Sequence, residues 1–223
     1  MGGIDLDGPA GRLEALLEEP PSPRFVALVC HPHPQFGGTM HNHATYRLAR
    51  AVRAAGGASL RFNYRGVGRS AGAYDHGRGE ADDAAAALAW LADRSGALPR
   101  LVCGFSFGAH AAIAAAGSDS GAAGLLLAGL VVVKRDDVPR DLAALRADSR
   151  RAAVVQAEHD EFGAPEAVRA ALDGSAGQRL LLPIEGATHL FTGRLEALEA
   201  AATGAARWLL GGEAGGDSDG EGG

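Results

Sequence analysis

Five consecutive residues, Gly104-Phe105-Ser106-Phe107-Gly108, leave this chain few ways to fold. The residues before them, 100–103, form a short apolar run of strand type, and residues 109–116 after them are strong helix formers. A strand that turns at once into a helix forces the residue at the bend into a strained backbone conformation. Bulk on either side of that residue would collide, so glycine is required at both 104 and 108. The bend presents the Ser106 oxygen at the C-terminal edge of a sheet, above a helix N-terminus that favours developing negative charge. With 33 glycines in the chain, an ordinary Gly-Ser turn is the competing reading, and the flanking strand and helix decide against it.

The remaining pattern supplies a sheet for that bend. Residues 12–18 alternate Leu13, Ala15 and Leu17 with more polar neighbours, as in a strand with one partly solvated face near a sheet edge. Residues 25–30 (FVALVC) are continuously apolar, as in a strand buried on both faces. A helix over 44–55, a strand over 58–62 and a helix over 80–94 follow, the last with acids in its first turn to suit the macrodipole. The run 124–133 reads as a strand, 141–147 as a short helix, 152–157 as a strand, 165–172 as a helix, 179–184 as a strand and 195–210 as a final amphipathic helix. Strands alternating with helices predict an α/β fold with a mostly parallel central sheet and helices on both faces. Only about 20 residues separate the strand ending near 133 from the one starting near 152, too few for a large cap domain.

Composition narrows the function classes. Hydrophobic residues make up 47% of the 223, enough for one sizeable core, and residues 1–210 are expected to form a single domain. The tail 211–223 is acidic and Gly-rich, with Glu213, Asp217, Asp219 and Glu221 and no base, and is expected to be disordered. The formal net charge is −6 and basic residues are scattered, so nucleic acid is not an expected partner. No apolar run reaches membrane-spanning length, the N-terminus has no signal-peptide pattern, and the two cysteines, Cys30 and Cys103, end apolar runs as small buried hydrophobes would. The expected location is cytoplasmic.

A serine hydroxyl needs a base to become a nucleophile. Three of the 8 histidines follow Ser106: His110, His159 and His189. For a serine presented this way the order is serine, acid, histidine. His110 is bound into the helix after Ser106, and His159 adjoins the best acids. His189 stands in EGATHLF, after the last strand and before the final helix, and is the chosen base. The acid should follow the penultimate strand, where VVQAEHDEFG offers Asp160, with Glu158 as the alternative. Its task is to accept the second ring N–H of the base and to fix its tautomer.

The segments HPHPQFGGTMHN, FNYRGVGRSAGAYDHGRGE, GFSFGA, AEHDEF and GATHLFTGRL, in this order and spacing, resemble those of a group of small, lidless bacterial α/β-hydrolases. These are known in general terms as hydrolases or esterases and are similar to dienelactone hydrolases and serine-peptidase-like hydrolases. The resemblance covers roughly residues 10–210. It implies the α/β-hydrolase fold and the catalytic set Ser106, Asp160 and His189. One departure is Asn63-Tyr64, where many α/β-hydrolases carry Asp before the R-G-x-G-x-S loop.

An acyl-transfer intermediate needs two N–H donors for its oxyanion. The backbone N–H of Phe107 is one. The other should come from the loop after residues 25–30, where alignment with the HG motif of related enzymes gives His33, with Gln35 as the alternative; Pro32 and Pro34 have no N–H. His31, His33, His41 and His43 crowd together in that loop and raise the question of zinc. The intervening prolines and the lack of an acid or Cys ligand argue against it, so neither metal nor cofactor is expected. Asn42 is instead the expected helix cap. The Arg65–Ser70 loop lacks the G-K-[ST] ending of a nucleotide site, and Arg65 and Arg69 are expected to hold the loop itself, with contact to an anionic substrate as the alternative. The reading is a carboxylesterase-like serine hydrolase acting on a small-molecule acyl substrate, with oligomeric state left open. Peptidase, thioesterase and lactone or C–C hydrolase chemistry on the same residues are alternatives, as is a non-catalytic binding protein on the same fold.

Overall fold

The computed structural model describes residues 2–133 and 142–212; residue 141 and the tail from 213 to 223 lie outside the described residues. The elements in chain order are β1 (Gly2–Gly8), β2 (Gly11–Glu18), β3 (Val26–Cys30), α1 (His43–Ala54), β4 (Ala58–Phe62), α2 (Arg78–Ser95), β5 (Arg100–Phe105), α3 (Phe107–Gly117), β6 (Ala122–Ala128), α4 (Leu142–Ala147), β7 (Arg151–His159), α5 (Pro165–Ala171), β8 (Arg179–Thr188) and α6 (Leu195–Leu209). The strands form one sheet in the order β1-β2-β4-β3-β5-β6-β7-β8. Strands β3 to β8 run parallel, and β1 and β2 are antiparallel additions at one edge.

The central strands show why continuous apolar runs belong here. Along β3, Val26, Leu28 and Cys30 point into one core, and Ala27 and Val29 into the other. Strand β6 repeats the division, with Leu125 and Leu127 on one face and Leu126 and Ala128 on the opposite one. The period of two places alternate residues on opposite faces, and helices cover both. Helices α2 and α3 pack together over the first core, α1 and α6 over the second. Helix α1 buries Ala44, Thr45, Leu48, Ala49, Ala51 and Val52, a stripe of helical period, and Arg47 and Arg50 both reach Glu199 of α6. Helix α3 is apolar nearly all round and is buried, and its alanines allow close approach to the sheet. Cys30 and Cys103 lie on adjacent strands but on opposite faces, so both thiols are free and buried.

Three details depart from the sequence expectation. Residues 2–8 form the edge strand β1, with Ile4 and Leu6 turned inward and Asp5 and Asp7 exposed. The apolar run 124–133 leaves the sheet at Ala128, where Gly129 turns with φ 54°. Its remainder forms wall rather than strand. Glu80 and Asp83 of α2 are fully buried: Glu80 accepts from the N–H groups of Asp75 and Gly77, and Asp83 holds Arg65. They close the loop before α2 rather than only complementing its dipole.

Strand β3 stands between β4 on one side and β5 on the other, so the chain order reverses beside it. In open parallel sheets the crevice beyond the strand C-termini at such a reversal is where ligands bind. No large cap covers it, since the connection from β6 to β7 contributes only the short helix α4 among the described residues.

Candidate active site

Ser106 sits between β5 and α3 with φ 57° and ψ −120°, a conformation that costs an L-residue about 1–3 kcal/mol. The surroundings hold it there. Its N–H donates to Ala128 O at 2.9 Å. A Cβ at Gly104 would run into the carbonyl of Gly108, and one at Gly108 into the carbonyl of Cys30. Both glycines are therefore needed for packing as well as for the turn.

Two loops bring the other two candidate side chains to the hydroxyl. His189 directly follows β8, and its Nε2 lies 2.8 Å from Ser106 Oγ. Asp160 directly follows β7, and its Oδ1 and Oδ2 lie 2.9 and 2.8 Å from His189 Nδ1. A carboxylate can only accept, so Nδ1 carries the hydrogen and Nε2 presents its lone pair to the serine O–H. Asp160 also accepts from Phe162 N–H and from Gln156 Nε2, each at 2.9 Å. Asp160 and His189 are nearly fully buried, and Ser106 is half-buried. Phe105 and Phe162 flank the imidazole with ring centroids at 5.3 and 4.6 Å.

The alternatives are engaged elsewhere. Glu158 accepts from Gly186 N–H at 2.7 Å, on the exposed side of β7. His159 is exposed beside Glu158, and His110 is buried in α3 with Nε2 3.0 Å from Val131 O. Burial pushes the Cys30 thiol up to about 12 and the Cys103 thiol higher still, so neither offers a thiolate.

Phe107 opens α3, so its N–H is among those a helix leaves without an intrahelical partner. The His33 ring packs edge-on against the Phe107 ring, with centroids 4.8 Å apart. The N–H of Gln35 donates to His33 Nδ1 at 3.2 Å and so serves the loop's own turn. The four histidines of this loop diverge. His31 is buried, His33 meets Tyr74 Oη at 3.1 Å, and His41 and His43 are exposed. Among the described residues no three His, Cys, Asp or Glu are grouped to hold a metal ion. Asn42 caps α1, its Oδ1 accepting from Ala44 and Thr45 N–H. Arg65 is bound to Asp83 and Arg69 to Glu14, and Asn63 links Met40 N–H to Glu14, which ties the β3 and β4 loops to β2.

The serine opens into a cleft of about 310 Å³. Phe36, Phe105, Val131, Phe162 and Leu190 form its apolar walls, the loop after β3 adds His33 and Asn42, and among the described residues no Arg, Lys, Asp or Glu lines it. Sequence reasoning did not reach three contributors. Gln156 is a fully buried amide whose only signal is a polar residue inside an apolar strand. Gly129 is required because a Cβ there would crowd Phe105 and His189. Tyr74 meets His33 from a distant loop, with no local signal.

No family model matches the chain. An uncharacterized protein of Rickettsia prowazekii is 44% identical over 115 residues, which are 51% of this chain and 48% of that protein. The chain thus spans about half the length of that curated relative. An α/β serine hydrolase homologue from Coxiella burnetii is 32% identical with a TM-score of 0.81, the match covering 91% of this chain and 95% of that one. A Xanthomonas campestris structure, described as an α/β serine hydrolase without a lid, is 32% identical with a TM-score of 0.81, covering 95% and 96%. Among the described residues no helix is long and apolar enough to cross a membrane. With a third of its residues shared over nearly the whole length of two such structures, the chain belongs to the α/β serine hydrolases without a lid.

Proposed function

We propose that this hydrolase is a carboxylesterase that cleaves small, uncharged acyl esters through an acyl-enzyme on Ser106. The observation that carries the reading is the continuous line from Asp160 through His189 to Ser106 Oγ at hydrogen-bond distances, beside a cleft that no Arg, Lys, Asp or Glu among the described residues lines. Ser106 Oγ attacks the ester carbonyl while His189 Nε2 takes its proton, and Asp160 stabilises the imidazolium. The carbonyl oxygen becomes an oxyanion held by the N–H groups of Phe107 and His33. His189 then passes the proton to the leaving alkoxide, and the C–O bond breaks. A water, deprotonated by His189, attacks the acyl-enzyme. Collapse of the second intermediate releases the carboxylic acid and returns the proton to Ser106.

An anionic acyl group would find no Arg or Lys among the described residues of the cleft wall, whereas an aliphatic or aromatic one meets three phenylalanine rings. The test is turnover of p-nitrophenyl acetate and butyrate. Ser106→Ala is expected to lower kcat/KM by at least about 10³-fold with the circular dichroism spectrum unchanged. Equal activity in the variant would contradict the reading. A matched panel of thioesters, lactones and anilides ranks the chemistries that the same residues support.

A further inference from the structure

His31 is fully buried, and both of its ring nitrogens are engaged. The N–H of Tyr64 lies 3.3 Å from Nε2. A backbone amide can only donate, so Nε2 presents its lone pair and the proton of the neutral ring sits on Nδ1. Nδ1 lies 2.7 Å from the carbonyl oxygen of Pro32 and donates to it. Burial pushes the imidazole down to about 3, which keeps the ring neutral, and hence in one tautomer, across neutral pH.

The carbonyl of Pro32 belongs to the same planar peptide as the N–H of His33. That peptide is trans, so its C=O and N–H point in opposite directions. Holding one aims the other. Gly38 closes the loop from the far side, where a Cβ would run into the carbonyls of Pro32 and His33, and its N–H donates to His33 O at 3.1 Å. We infer that His31 is a positioning residue that, with its tautomer set by Tyr64 N–H, locks the Pro32–His33 peptide so that the His33 N–H faces the oxyanion. The inference rests on the reading of His33 as an oxyanion donor.

Two substitutions separate this role from simple packing. Asparagine at 31 places an amide nitrogen where Nδ1 stands and keeps the donor to Pro32. Glutamine places an amide oxygen where Nε2 stands, keeps the acceptor for Tyr64 and loses that donor. With p-nitrophenyl butyrate, His31→Gln is expected to lower kcat about 100-fold, the scale of one lost oxyanion donor, with KM within about twofold. Affinity for an arylboronic acid, whose tetrahedral adduct on Ser106 carries an oxyanion-like oxygen, should weaken by a similar factor. His31→Asn should recover kcat to within about fivefold of the wild type. A kcat for His31→Gln equal to wild type, or no recovery by His31→Asn, would overturn the inference. Nitrogen-15 NMR of histidine-labelled wild-type protein reads the tautomer without any variant: Nδ1–H from pH 6 to 8 is expected, and Nε2–H would overturn it. Wild-type protein that neither turns over esters nor reacts at Ser106 would sink the esterase reading and this inference with it. Active wild type with an unaffected His31→Gln sinks the inference alone.

Discussion

On the β7–β8 side of Ser106 the groups proposed to react are side chains, and other side chains orient them. Asp160 is held by Gln156, and His189 is held by Asp160. On the β3 side the proposed donors are backbone N–H groups, and what is oriented is a peptide plane: His31 and Gly38 hold the Pro32–His33 unit, and α3 holds the N–H of Phe107. Chemistry that resides in side chains can be aligned by a few hydrogen bonds at the ends of two strands. Chemistry that resides in the backbone has to be aligned by packing, by glycines that admit close approach, and by buried polar groups that grip a carbonyl. The two sides should therefore fail differently when they are damaged.

The acid–base side should give the largest effect. Asp160→Asn replaces an acceptor-only carboxylate with an amide that can donate to Nδ1, which favours the wrong tautomer of His189. A loss of about 10⁴-fold in kcat/KM with a normal fold is expected from ester turnover assays, and a loss below tenfold would show that the carboxylate does not orient the base. One step back, Gln156→Leu removes the donor to Asp160 and leaves Gly163 O and the Leu130 backbone without that partner. About tenfold in kcat/KM and about 1–3 kcal/mol of stability are expected, read by kinetics and chemical denaturation. Unchanged values in both would dissolve the distinction between an oriented acid and a merely buried one.

The backbone side should show itself in stability against pH. Native His31 is held far below its ordinary value of 6.5, down to about 3, because burial disfavours the charged ring. Between those two values the unfolded chain binds a proton at this site and the native protein does not. The contribution is fully present above pH 6.5 and is lost as pH falls through that window, at up to about 1.4 kcal/mol per pH unit. Denaturation of wild type and His31→Asn at pH 7.5 and 5.5 isolates it. The variant should lose less stability on acidification, and equal losses would mean that His31 is not held neutral.

The same division explains how much was legible in the sequence. Ser106, Asp160 and His189 each stand within a few residues of the end of an apolar strand run, so residue type and strand order together lead to them. The β3 loop offered several histidines, and nothing local told the buried His31 from the exposed His41. That distinction comes from Tyr64, more than thirty residues away, and from Gly38 closing over Pro32. The run 124–133 read as one strand because apolar character alone does not separate a strand from a cleft wall. Gly129, where the chain turns beneath His189, marks the change. Strand β1 leaves little signal, because its glycines mask the alternation of Ile4 and Leu6 with Asp5 and Asp7. The fold follows from local pattern, whereas the supports of the site come from contacts between distant segments.

The central claim is that one hydroxyl in this chain is made nucleophilic by the groups around it. Incubation with a fluorophosphonate, followed by peptide mass spectrometry, tests it most directly. Stoichiometric phosphonylation confined to Ser106, abolished in a His189→Ala variant that keeps its fold, is the expected result. Intact, folded protein left unmodified at Ser106, or labelled equally at other serines, would contradict the account.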